Sequence, residues 1–255
     1  MESCGPMRNA LVRSGLAATG LVYLAMGFVS ARVAFLGARD PEQGVPGALR
    51  FLLGRPYGTL LLSAIVAGLA AIALVHAVES ATGRRGLLTR AGLVVSAVGY
   101  AALAWTSARL LLRLKTGGES LEHAGIAWLL GESWGPTALE LVGAAVIAGG
   151  AWEAYQGMRG RLAVSRPPLP IRLARGLELV ARFGLIARGL VLGVLGYFLL
   201  RAAEELDPDR ARTIGGTLGA FSHTALGPGF LGVVALGLAA YGVHLWTLAL
   251  LKRRV

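Results

Sequence analysis

Four ionisable side chains in this sequence lie in apolar surroundings, where they could carry protons or cations through a membrane. Glu140 and Glu153 lie in one long apolar run, and His76 and His244 lie at nearly equivalent depths of two others. An ionisable residue at the centre of a bilayer costs roughly 3 kcal/mol to insert, so such residues mark functional sites by default. The alternative is structural, because both glutamates lie about one helical turn from an interface, where they can act as polar contacts between helices.

The two histidines also raise the possibility of a membrane haem. Two histidines on separate helices are the minimum for axial haem ligation, but a one-residue offset between the repeats turns His76 and His244 about 100° from each other. The only cysteine is Cys4, and no Walker loop, His-Glu-x-x-His pair, Gly-x-Ser-x-Gly elbow or Cys-x-x-Cys motif is present in the sequence. We therefore expect no cofactor and no metal and favour a non-enzymatic protein, with a b-type haem protein as a minor alternative.

Three arginines are candidates for binding lipid headgroups. Only 12 uncharged residues separate Arg188 from Arg201, so we expect the Arg188 side chain to extend to the cytoplasmic surface. The alternative is that it binds a lipid phosphate or the terminal carbonyls of a neighbouring helix. Arg172 and Arg175 belong to the stretch 171–182, in which arginines alternate with leucine and valine. This pattern is typical of an interfacial helix on anionic lipid, and a groove on a partner protein is the alternative.

The elements that must position these residues are apolar helices. Of the 255 residues, 55% are hydrophobic and 15% are charged, whereas globular domains carry about a quarter charged residues. Spanning a bilayer takes roughly 20 mostly apolar residues. Runs of that kind lie near 15–36, 58–79, 91–114, 135–156, 183–204 and 228–250. The sequence therefore predicts an all-α integral membrane protein with six transmembrane helices.

The six runs form three repeated hairpins. A shift of 169 positions places Gly15, Gly20 and Gly27 on Gly184, Gly189 and Gly196, and the middle copy follows at shifts of 72 and 77. Repeats of this length are structural units. We predict one transmembrane domain of three hairpins inserted in parallel, with repeats at 1–83, 84–165 and 166–255. The third repeat begins with a proline-rich cytoplasmic linker and the interfacial helix.

The distribution of positive charge predicts the orientation. Of the 25 Lys and Arg residues, 15 lie at the N-terminus, in the 80–90 loop, in the 157–182 segment with Arg188, or in the C-terminal tail. Because Lys and Arg are enriched on the cytoplasmic side, both termini are predicted to be cytoplasmic. The net charge of +11 reflects this placement, and no basic folded face with stacking aromatics indicates a nucleic-acid partner.

Several segments resemble a known bacterial membrane family. They are the start of the fifth run, Ala187–Val191, the turns at Gly58 and Gly227, and the small-residue stretch Gly237–Gly242. The family has three two-helix repeats and is catalogued as domain of unknown function 1206. The resemblance implies an inner-membrane location and brings no activity, ligand or catalytic residue. Thr19 stands where this pattern has an arginine in the first copy.

Two functions remain open from the sequence. The first is a scaffold or accessory subunit with an unidentified membrane protein partner, favoured by helix faces of small residues. The second is a small transporter or channel with a cavity on a pseudo-threefold axis. Each hairpin also has a short half-apolar outer segment, at 46–53, 121–130 and 216–226. These segments are either surface caps or half-helices that dip into the bundle.

Overall fold

The computed structural model describes residues 4–36, 44–82, 86–112, 121–160, 170–207 and 227–251. Within these ranges the chain forms eight α-helices and no strand. The helices are α1 (Cys4–Leu36), α2 (Gly44–Leu53), α3 (Gly58–Thr82), α4 (Leu87–Leu111), α5 (Leu121–Leu130), α6 (Gly135–Arg159), α7 (Ile171–Glu205) and α8 (Gly227–Leu251). The predicted all-α class is confirmed.

Five helices are long and apolar enough to cross a membrane: α1, α3, α4, α7 and α8. A helix satisfies its backbone hydrogen bonds internally, which is why helices can span lipid. The chain is therefore a multi-pass membrane protein. The remaining long helix, α6, is as long as α3, with 25 residues, but Glu140 and Glu153 make it less apolar. The predicted interfacial stretch 171–182 and the fifth run form one continuous helix, α7.

The two short outer helices that the structure describes have different surroundings. The helix α2 packs against α1, α3 and α4, and its Ala48 and Leu49 are fully buried while Arg50 is exposed. The helix α5 packs against α6. Both have ten residues, or about 15 Å, which is half the thickness of the hydrocarbon layer. The third predicted outer segment, 216–226, lies outside the described residues.

The turns after the short helices are alike, as the repeat predicts. The Gly58 N–H donates to the Arg55 carbonyl at 2.8 Å, and the Gly135 N–H donates to the Glu132 carbonyl at 2.9 Å. A Cβ on Gly58 or Gly135 would clash with the last carbonyls of the preceding helix. Glycine is therefore required where the chain reverses into the long helix.

The long helices follow one another around the bundle in the order α4, α3, α1, α8, α7, α6. Neighbouring hairpins are joined where α1 packs on α8, α3 on α4 and α6 on α7, and within hairpins α1 packs on α3 and α7 on α8. In the described ranges, α4 and α6 of the middle hairpin form no comparable interface. The arrangement is thus an arc of six helices that is not closed between α4 and α6.

Glycines set how closely these helices approach. A Cβ on Gly189 of α7 would clash with the Gly150 carbonyl of α6, and a Cβ on Gly20 of α1 would clash with the Trp246 side chain of α8. Gly20 and Gly189 are equivalent under the 169-residue shift. Close approach of backbones at small residues supplies packing energy to membrane helices, where lipid gives no hydrophobic driving force for association.

Arginines from the first helix of one hairpin bind the C-terminal end of a second helix in another. The bonds run from Arg13 Nε to the Ala249 carbonyl at 2.6 Å, from Arg90 Nε to the Ser80 carbonyl at 2.8 Å, and from Arg182 Nε to the Gly157 carbonyl at 2.9 Å. The three acceptors are equivalent under the shifts of 169 and 77. A cation at a helix C-terminus satisfies carbonyls that lack an intrahelical partner and complements the helix dipole.

Replacing Arg182 by glutamine is expected to lower the free energy of unfolding by about 1 kcal/mol, because a charged donor to the last carbonyls of α6 is lost. Arg172→Gln is the matched control, because Arg172 is an exposed arginine on the same helix, ten residues before Arg182. Thermal unfolding of the purified protein in detergent, followed by circular dichroism, measures both. Equal stability of the two variants would contradict the capping role.

Candidate functional site

The centre of the candidate site is an ion pair between α6 and α7. The Arg188 Nη1 group donates to Glu153 Oε1, and the Arg188 Nε group donates to the Tyr23 hydroxyl of α1 at 2.8 Å. The two charged side chains are 23% and 22% exposed, so the pair lies mostly inside the bundle and remains partly accessible. Three helices are thereby tied together by one guanidinium group.

Two aromatic rings pack beside that guanidinium group. Its central carbon lies 4.9 Å from the Tyr241 ring centre and 5.7 Å from the Tyr23 ring centre. The two tyrosine rings meet edge to face at 4.8 Å. A cation held over aromatic faces is stabilised by the ring quadrupole, more so where water is excluded. Both rings lie on one side of the guanidinium group, because their centres are as close to each other as to its central carbon.

Tyr100 of α4 extends the cluster to the other side of the arc. It lies close to Thr19 of α1 and within electrostatic range of Tyr23, Arg188 and Glu153. We call the five residues Tyr23, Tyr100, Glu153, Arg188 and Tyr241 the polar centre. They come from five different helices, α1, α4, α6, α7 and α8.

Both membrane histidines contact tyrosines of the polar centre. The His76 ring of α3 lies 5.7 Å from the Tyr100 ring, and the His244 ring of α8 lies 6.2 Å from the Tyr241 ring. With His76, every long helix of the described chain contributes a polar side chain at or beside the centre. The two histidines thus contact different tyrosines.

Two buried polar atoms near the centre have no hydrogen-bond partner among the described residues. They are Glu153 Oε2 and His76 Nδ1. Buried polar atoms are nearly always hydrogen-bonded in folded proteins, so such exceptions call for an explanation. An additional proton, water molecule or ligand would satisfy the free oxygen of Glu153.

The local sequence explains how Arg188 reaches this position. The adjacent Gly189 meets the Gly150 backbone of α6, and Glu153 lies one turn beyond Gly150. On the other side, a Cβ on Gly237 of α8 would clash with Ala187. Small residues on all three helices therefore bring α6 and α8 against the segment of α7 that carries the arginine.

The arginines that bind the helix ends indicate how deep the polar centre lies in the bundle. Arg188 lies six residues after Arg182, and Glu153 lies four residues before Gly157. At 1.5 Å per residue, these separations are about 9 Å and about 6 Å along the helices. The polar centre therefore lies in the half of the bundle nearer the chain termini, deeper than the capped helix ends.

The structure gives Arg188 a different partner from the lipid headgroup that we expected. Its guanidinium group turns into the bundle, because a carboxylate and a phenol lie within reach there. Arg172 and Arg175 are exposed near the start of α7, and their binding to lipid stays a prediction. Glu140 is exposed on α6, about 20 Å along the helix from Glu153, so the structure does not bring the two glutamates together.

Sequence reasoning missed the three tyrosines and Thr19. One signal was available: Thr19 is equivalent to Arg188 under the shift of 169, and Glu153 is equivalent to His76 under the shift of 77. Equivalent positions of different hairpins thus face the same centre. No clustering of three or more His, Cys, Asp or Glu side chains that could hold a metal ion is found in the described part of the chain.

Comparison with known proteins identifies the family. The model of Domain of Unknown Function (DUF1206) matches residues 14–83 and 183–252. The chain belongs to this family. The two matched segments are offset by the same 169 positions as the sequence repeat, so the repetition of the first and third hairpins is confirmed.

One relative of the chain covers most of its length. It is the uncharacterized protein YxxB of Bacillus subtilis (strain 168), which is 30% identical over 241 residues, covering 91% of this chain and 86% of the relative. No solved structure matches the chain. The DUF1206 resemblance inferred from the glycine pattern is therefore confirmed, and it assigns no activity.

Replacing Arg188 by methionine is expected to destabilise the protein by roughly 3 kcal/mol, because Glu153 is left as an uncompensated charge inside the bundle. Adding Glu153→Gln to that variant removes the orphaned charge and is expected to recover most of the loss. A double-mutant cycle of unfolding in detergent measures the coupling.

The control for this cycle is Arg201→Met at the end of α7, where the arginine pairs with Glu204 and Glu205 at an exposed site. Its loss is expected to cost less than about 1 kcal/mol. If the losses of the two single variants at the polar centre simply add in the double variant, the ion pair is refuted.

Proposed function

We propose that this protein is a small transporter whose substrate binds at the polar centre. The observation that carries the proposal is that all six long helices place a polar side chain at or beside the polar centre. Ionisable residues inside membrane proteins are rare and mark substrate or ion pathways. Of the two functions that the sequence left open, the geometry favours the transporter.

A purely structural tie explains the polar centre less well. Apolar residues of similar volume stabilise a buried helix contact as well as an ion pair does, or better. The Glu153 Oε2 atom also lies buried without a partner in the described chain, which a structural contact would leave as a cost. A binding function gives that atom a partner during the transport cycle.

The proposed architecture has six spans in three hairpins, with repeats at 1–83, 84–165 and 166–255 and both termini in the cytoplasm of a bacterial cell. The sixth span is α6, which packs along α7 and whose Glu153 is neutralised by Arg188. The arginine-rich ends of the hairpins support the cytoplasmic side. Arg172 and Arg175 at the exposed start of α7 are the proposed contacts with anionic lipid.

Transport is tested by reconstituting the purified protein into liposomes and measuring the flux of ions and small solutes. Arg188→Met is expected to lower the flux at least about tenfold, because loss of a charged contact to substrate costs over about 1.4 kcal/mol. Glu153→Gln is expected to lower the flux as well, because glutamine has no charge to pair with Arg188 when the site is empty. Glu140→Gln is the matched control, because Glu140 is exposed on the same helix. A flux equal to that of empty vesicles for every solute would refute the proposal.

A second candidate, the accessory subunit, is favoured by the unpaired side of the middle hairpin. Gly92 and Gly99 of α4 and Gly149 of α6 have no neighbour where a Cβ would lie. Gly20 and Gly27 of α1, the repeat equivalents of Gly92 and Gly99, pack directly on α8. A transmembrane helix of a partner protein would fit this side, since small residues allow close approach.

A photo-crosslinking residue at Val98, exposed on α4, is expected to capture one stoichiometric membrane protein in native membranes. The same residue at Val233, exposed on α8, is the control for non-specific capture. Mass spectrometry identifies the products. Identical product patterns from the two positions would argue against an accessory role at this surface.

A further inference from the structure

We infer that the polar centre binds a small organic anion together with one proton, and that Glu153 is the internal carboxylate which the anion replaces on Arg188. The inference rests on the proposed function, because it names the substrate class of the same site. It follows from the hydrogen-bonding capacity that the ion pair leaves unused, from the rings beside the pair, and from the charge balance of the exchange.

The guanidinium group has unused capacity for a carboxylate. Arginine has five N–H donors in a planar fork that matches a carboxylate at two points. Nη1 binds Glu153 and Nε binds Tyr23, and these two bonds use two of the five donors. Glu153 uses only Oε1 in return, since its Oε2 atom is buried without a partner. A ligand carboxylate bound at two points would make the more complete pair.

The rings restrict what can approach. Tyr241 and Tyr23 pack on one side of the guanidinium group, so a ligand reaches it from another side. A cationic ligand would be repelled by Arg188 and would have to break the ion pair to reach Glu153. Anions are therefore favoured over the cations that the sequence analysis considered for Glu153.

Charge balance couples the anion to a proton. When a ligand carboxylate takes Arg188, Glu153 loses its counter-ion inside the bundle, where an unpaired carboxylate is costly. A proton from water then binds Glu153 and forms the neutral acid. One negative charge and one positive charge enter, so the net charge of the centre does not change.

No strong base competes for that proton among the groups that face Glu153 from the neighbouring helices. These groups are Arg188 of α7, Tyr23 of α1, Tyr100 of α4 and Tyr241 of α8. Arginine stays charged and the phenols stay neutral throughout the physiological pH range. His76 and His244 lie one ring farther away, against Tyr100 and Tyr241. Glu153 is thus the proton-exchanging group that contacts Arg188 itself.

The unclosed side of the arc provides a path to the pair. The helices on its two edges are α4 and α6, which form no packed interface in the described ranges. Each carries a residue of the polar centre, Tyr100 and Glu153 respectively. The pair retains partial exposure, so a ligand that enters between α4 and α6 would meet Glu153 and Arg188 first.

The inference is tested by titrating benzoate, with benzylamine as the cationic counterpart, into the purified full-length protein in nanodiscs by calorimetry. Benzoate is expected to bind with uptake of one proton, so that its affinity falls about tenfold for each unit of rising pH. Benzylamine is expected not to bind. Binding of benzylamine instead of benzoate, or benzoate binding without proton uptake, would overturn the inference.

Variants separate the roles of the two charges. Glu153→Gln is expected to bind benzoate more tightly than the wild type at neutral pH and without pH dependence, because no internal carboxylate competes. Arg188→Lys keeps the charge but loses the planar fork, and is expected to bind at least about tenfold more weakly. If Glu153→Gln retains the pH dependence of the wild type, the proton site is elsewhere and the inference fails.

The binding assay and the liposome flux assay fail independently. Proton-linked benzoate binding without flux of any solute would refute the transporter and leave the anion site standing. Flux of a cation or neutral solute that depends on Arg188, without benzoate binding, would support the transporter and refute the anion site.

Discussion

Arg188 can lie inside a membrane bundle only because Glu153 neutralises it, and the packing of α6 on α7 depends on bringing the two together. An unpaired charge at that depth costs several kcal/mol. The close contact of Gly189 with Gly150 places the two helices so that the charges meet. Tyr23 and Tyr241 then attach α1 and α8 to the same guanidinium group. The central helices of the arc therefore share one electrostatic anchor.

The repeats supply a frame, and the polar centre departs from it. Arginine caps with equivalent acceptor positions hold the C-terminal ends of three second helices, and equivalent glycines hold the crossings. At the centre, however, Thr19 takes the place of Arg188, and His76 takes the place of Glu153. A threefold arginine would have required three buried counter-charges. The different residues at these positions leave one neutral pair surrounded by uncharged polar side chains.

The middle hairpin leaves one side of the bundle without a packed helix neighbour in the described ranges. Its α4 has two glycines facing open space, whereas the matching glycines of α1 are packed on α8. The side between α4 and α6 is consequently the part of the bundle that a ligand or a partner helix can approach. Both proposed functions use this side, and they differ in whether the occupant reaches the Arg188–Glu153 pair.

The sequence by itself determined the class, the long apolar helices, the family and the 169-residue repeat, because each depends on local patterns of apolar residues and glycines. It also identified Glu153, Arg188, His76 and His244 as unusual, since ionisable groups are rare in such runs. Their partners were decided by the tertiary structure. Glu153 lies 35 positions from Arg188, and Tyr23 lies 165 positions from it. No local pattern joins residues at those separations, because their meeting depends on which helix faces pack together.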